Sequence, residues 1–121
     1  METLTESQVD YLRTVLELTK EQETVRAVDI ARRLQYSKPS VHRAIESLVT
    51  RGFLIVGNSK CLALTEDGRR AAEDSYQKIS FFADLLSGAG LTEARAREEA
   101  IKLSHSTDKE TFDILKRLCT R

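Results

Sequence analysis

The stretch VDIARRLQYSKPSVHRAIESLVTRGFLIV, residues 28–56, decides the fold. It places the single proline of the chain, Pro39, shortly after Ser37 and just ahead of His42 and Arg43. Serine is a strong helix N-cap, and proline is tolerated in a first helical turn because the N–H it lacks had no partner there. A helix is therefore expected to start after Ser37, with Val41, Ala44, Ile45 and Leu48 as its buried stripe and Gly52 as a left-handed cap at its end. Upstream, VRAVDIARRL reads as another helix with Val28, Ile30, Ala31 and Leu34 turned inward, and QYS as the tight turn between the two. Downstream, FLIV, GNSK and CLAL read as two strands and their turn. Two short helices around a tight turn, followed by a hairpin, make a winged helix-turn-helix, a shape that enters DNA grooves.

Working outward, Thr5 and Gln8 form a capping box for a helix from about Glu6 to Lys20. Thr65 caps a long helix, SGAG breaks it, and Thr92 opens a further helix to about His105. Thr107 and Glu110 form a second capping box for DKETFDILKRLC. The expected fold class is mainly α: a winged helix-turn-helix DNA-binding domain over residues 1–64, then a helical dimerisation region over 65–121. Ile79, Phe81, Phe82, Leu85, Leu86, Ile101 and Leu103 are more apolar surface than a short helical pair hides, which predicts a two-fold homodimer interface there.

Composition narrows the function. No run approaches the roughly 20 apolar residues of a membrane span, and the start METLTESQVDYLR has neither basic nor apolar signal regions. Cys61 and Cys119 stand far apart without a partner motif, as expected of free thiols in a cytoplasmic protein. No Gly-rich phosphate loop, HExxH or Ser–His–Asp pattern supports an enzyme or a small-molecule substrate. The 19 basic and 19 acidic residues cancel, yet residues 26–60 carry +5 and the remainder −5. A locally basic segment in a neutral chain is a nucleic-acid footprint.

The candidate contacts to double-stranded DNA follow from that segment. Arg43 has the reach for a bidentate pair with guanine O6 and N7. Ser37, Lys38, Pro39, Ser40 and His42 line the first turn, where recognition helices touch base edges and where the helix terminus favours phosphate. Arg32 and Arg33 on the preceding helix, and Lys60 in the hairpin, are placed for backbone contacts. A winged-helix protein-interaction module without a DNA role is the alternative from another class.

The segment VDIARRLQYSKPSVHRAIESLVTRGFL with the following LALTEDGRRAAE, and the opening helix VDYLRTVLEL, resemble metal-dependent transcriptional repressors of the diphtheria-toxin-repressor and manganese-transport-regulator type. The resemblance is to the short form without an SH3-like domain. It implies a homodimer that binds a palindromic operator when manganese or iron(II) occupies a site built from the first helix, the long helix after the wing and the helix that follows. It also implies the ligands of that site. Asp10, Tyr11 and Leu12 match the family's pattern, but Arg13 stands at an acidic ligand position, Ile79 at a histidine, and Ile101 and Ser104 at two more ligands. Asp10 and His105 are the residual donors. Manganese and iron(II) prefer oxygen-rich shells of about six ligands, so no metal is expected to be required, and Asp10 is expected to pair with Arg13 at i,i+3. Glu98 is expected to pair with Lys102. The alternatives are a changed site in which His105, Asp10 and a nearby acid hold zinc, which accepts fewer and mixed donors, and oxidation of Cys61 as a signal.

Overall fold

The computed structural model describes residues 3–120. Its elements are α1 (Glu6–Glu21), α2 (Ala27–Leu34), α3 (Lys38–Thr50), β1 (Leu54–Val56), β2 (Leu62–Leu64), α4 (Glu66–Gly88), α5 (Glu93–Ser106) and α6 (Lys109–Cys119). They fall into two units, one up to Glu73 and one from Asp74 on, with the division inside α4.

In the first unit α1 starts as the sequence predicts. The Gln8 N–H donates to Thr5 Oγ1 at 3.1 Å and the Thr5 N–H to Gln8 Oε1 at 3.0 Å. The same Gln8 side chain accepts from Arg51 Nη1 at 2.7 Å, tying the first turn of α1 to the end of α3. Residues Tyr11 to Leu18 are all buried, so α1 is enclosed rather than amphipathic over its middle. Leu12 and Val15 of α1 are sealed in the core with Val25, Ile30, Val41, Leu48 and Leu54, each fully buried aliphatic side chain contributing about 1.5–3 kcal/mol.

α2 departs from expectation at one position. Val28 is 43% exposed, and Val25 is buried in its place. The helix begins only at Ala27, with Arg26 as its cap. Val25 lies in the extended lead-in, where its carbonyl accepts from the Leu62 N–H at 2.7 Å. Gln35 ends α2 in the left-handed conformation at φ 58°, and Ser37 caps α3. Gly52, at φ 84°, ends α3 as expected. The hairpin pairs Leu54 with Leu64 and Val56 with Leu62. Its tip coils at Asn58–Lys60, and the left-handed positions are taken by Ser59 and Lys60 rather than by Gly57 or Asn58.

In the second unit Ile79, Phe82, Ala100 and Phe112 form the core, with Phe81, Ile101 and Leu115 packed against it. The ring centroids of Phe81 and Phe82 lie 5.4 and 6.0 Å from that of Phe112. This corrects the expected interface set. Ile79 and Phe82 belong to the protein's own core because α6 supplies a third aromatic ring, and only Leu85 and Leu103 of that set are exposed. The α6 cap is also shifted by one residue. Asp108, not Thr107, accepts from the N–H three positions on, at 2.7 Å from Thr111 N, and this bond holds its carboxyl below the usual range. Aspartate is the stronger N-cap, and the Thr107 hydroxyl is spent on the Leu103 carbonyl at 2.6 Å. Lys102 pairs with Glu99 at 2.9 Å rather than with Glu98.

Gly68, in the first turn of α4, lies against backbone. A Cβ there would stand 2.0 Å from the Phe53 carbonyl oxygen. That carbonyl is fixed, since Phe53 N–H donates to Leu48 O at 2.9 Å and Thr65 N–H donates to Phe53 O at 3.2 Å. Gly68→Ala should therefore destabilise the protein by about 1–3 kcal/mol, read from urea unfolding. Alanine at Gly88, which meets nothing within 4 Å, is the control expected to stay near the wild-type value.

Candidate nucleic-acid interface

The first turn of α3 is organised by its cap. Ser37 Oγ accepts from the Ser40 N–H at 3.3 Å and donates to Ser40 Oγ at 2.9 Å. Arg43 Nη2 reaches the same Ser40 oxygen at 3.5 Å. Lys38, Pro39, His42 and Arg43 are exposed and Ser40 is half-buried. The buried Tyr11 hydroxyl is raised above its ordinary pKa, by burial first and by Tyr36 second, while the nearby Arg43 guanidinium works against the rise.

A groove of about 580 Å³ lies between α2, α3 and the hairpin, and brings Lys38, His42 and Lys60 together. Arg26 joins them. It belongs to the basic segment of residues 26–60, and nothing in its sequence neighbourhood marks it as part of the groove. Its Nε donates to the Ser59 carbonyl at 3.1 Å, holding the hairpin tip. The floor is apolar, with Val41, Ile45 and Leu62, and the exposed Val28 and Val56 stand at its edges. Arg32 and Arg33 do not line this groove. The Arg32 side chain is 76% exposed and 3.9 Å from Asp29, and Arg33 is held by Glu21 at 2.6 Å.

Within α1, Arg13 is buried at 3% exposure. Its Nη1 donates to Asp10 Oδ1 at 2.8 Å and its Nε lies 3.9 Å from Glu17 Oε2. Asp10, Arg13 and Glu17 share one helical face.

The profile described as "Iron dependent repressor, N-terminal DNA binding domain" matches residues 3–62, the span of α1 to the wing just described. The chain belongs to the iron-dependent repressor family. It is 29% identical over 104 residues to the transcriptional regulator MntR of Escherichia coli O6:H1, covering 86% of this chain and 67% of that protein. It is 30% identical over 111 residues to the diphtheria toxin repressor of Corynebacterium diphtheriae, covering 91% of this chain and 49% of that protein. The crystal structure of T. acidophilum IdeR superposes with a TM-score of 0.80 at 26% identity over 99% of this chain and 56% of its own. The chain thus spans about half the length of that solved structure.

The family's name implies a regulatory metal, and the residues here do not fit one. Arg13, where the resemblance implies an acidic ligand, brings a fixed positive charge and engages Asp10 at 2.8 Å. Ile79 is sealed in the second unit's core and Ile101 packs against it. The buried Ser104 hydroxyl is turned to its own helix, donating to the Ile101 carbonyl at 2.6 Å. Among the described residues no three His, Cys, Asp or Glu side chains gather into a set that could hold an ion. His105 is half-buried and has an interaction partner of its own.

Removing Arg13 would take from Asp10 and Glu17 the guanidinium they share. Arg13→Met should cost about 3 kcal/mol at neutral pH, toward the low end of the range for a broken buried pair because the Asp10 side chain is 22% exposed. Adding Asp10→Asn should restore part of the loss. A double-mutant cycle by urea unfolding checks this, and a strictly additive result would mean that the two groups are not coupled.

Proposed function

We propose that the chain is a sequence-specific DNA-binding transcriptional repressor that acts as a homodimer on a palindromic operator and needs neither manganese nor iron(II) to bind it. The observation that carries the reading is the α3 face. Lys38, Pro39, His42 and Arg43 stand exposed on a helix whose first turn is fixed by Ser37 and Ser40, beside a wing that presents Lys60 to the same groove. Arg43 is the base-reading residue, and Ser37, Lys38, Ser40, His42 and Lys60 are phosphate or base contacts. Arg32 and Arg33 are peripheral backbone contacts. Membership of a family whose matching profile is a DNA-binding domain supports this, as do relatives named a transcriptional regulator and a toxin repressor. The dimer follows from two-fold operators, which need two recognition helices about one turn of DNA apart. Leu85, Leu103, Ile114 and Leu118 are the large apolar side chains exposed in the second unit for such a contact. Independence from metal follows from Arg13, which supplies a permanent cation where the family's ligand set is broken.

Selection of bound fragments from a genomic pool should recover one two-fold symmetric sequence. Affinity for it should fall steeply with salt, in proportion to the phosphates neutralised. Arg43→Ala should cost about 1–3 kcal/mol and relax the preference at the base it reads. A pool without a preferred sequence, together with no loss on Arg43→Ala, would favour a winged-helix protein-interaction module instead.

A further inference from the structure

Among the described residues, which include all seven aromatic side chains, Tyr36 alone is left exposed, at 45%. It stands in the turn between α2 and α3, between the left-handed Gln35 and the cap residue Ser37, and its N–H is fixed to the Ala31 carbonyl at 3.2 Å. Its ring is edge-on to that of the buried Tyr11, with centroids 5.9 Å apart at 61°. The backbone on both sides and one edge of the ring are therefore constrained, while the rest faces water. An aromatic ring left in solvent gains by being covered, and a ring already held loses little side-chain entropy when it is.

Its surroundings say what covers it. Ser37 caps α3 directly after Tyr36, Ser40 lies in its first turn, and Arg43, one turn on, reaches Ser40; the three are bonded to one another. A helix N-terminus with a guanidinium beside it favours an anion. We infer that the Tyr36 hydroxyl donates a hydrogen bond to a phosphodiester oxygen of DNA, with Tyr11 as the positioning residue that holds its ring against the start of α3. The inference rests on the DNA-binding reading and deepens it by naming a contact that carries no charge. Contacts to phosphate position a protein on the duplex without reading sequence, so mixed-sequence duplex DNA is a sufficient probe.

The test is equilibrium binding of a labelled mixed-sequence duplex across a salt series, using the full chain. Tyr36→Phe keeps the ring and removes the hydroxyl. It should weaken binding about 2- to 10-fold at every salt concentration, the loss of one hydrogen bond, and leave the slope of log affinity against log salt unchanged. Lys38→Ala should instead lower that slope by about one unit. Tyr11→Phe should bind like the wild type, and Tyr11→Leu, which removes the ring edge, should lose about as much as Tyr36→Phe. Nitration by tetranitromethane, read by peptide mass spectrometry, should modify Tyr36 in the free protein and be blocked by the duplex, with the half-buried Tyr76 as internal reference. Unchanged affinity for Tyr36→Phe, or Tyr36 nitrated equally with and without duplex, would overturn the inference. Wild-type protein that binds no duplex at any salt would instead overturn the DNA reading beneath it.

Discussion

A guanidinium buried inside α1 is the constraint around which the chemistry of this chain turns. Arg13 is sealed at 3% exposure, and the charge it brings has to be balanced where it sits. Asp10 at 2.8 Å and Glu17 at 3.9 Å do that from the same helix. Such a pair is worth little net compared with apolar residues of the same size, because two charges have been taken out of water. Breaking it is costly, and so the cation is permanent. Arg13 is fixed in the chain, and Ile79 and Ile101, at positions where the resemblance implies ligands, pack as core.

The winged unit in turn depends on local bonds that leave its outer face preorganised. Ser37 and Ser40 fix the first turn of α3. Arg26 holds the hairpin tip through the Ser59 carbonyl, which sets Lys60 across the groove from Lys38. The approach of α4 to Phe53 is so close that only glycine fits at position 68. None of these bonds reads DNA. They reduce what has to be ordered when a partner arrives, which is where affinity is otherwise lost.

What was legible in the sequence was local. The Thr5–Gln8 box, the Ser37 cap with Pro39 inside the first turn, Gly52 at the end of α3 and the Thr92 cap depend on residues within a few positions of one another. The misses have tertiary causes. Val25 rather than Val28 is buried because Leu62 of β2 anchors the lead-in to α2. Ile79 and Phe82 are core because Phe112 arrives from a helix some thirty positions away. Asp108 displaces Thr107 because the Thr107 hydroxyl is already spent on α5. In the candidate interface the exposed residues of α3 were readable from helical spacing. Arg26 and Tyr36 were not, because each gains its place from a contact across the turn or the groove.

The measurement that bears most directly on this account is the affinity of metal-stripped protein for its recovered duplex, by fluorescence anisotropy, in excess chelator and again with added manganese or iron(II). A resident cation at Arg13 predicts tight binding in chelator and the same affinity when either ion is added. Binding lost in chelator and restored by manganese or iron(II), or tightened by about fivefold or more, the lower end of typical allosteric coupling, would contradict it.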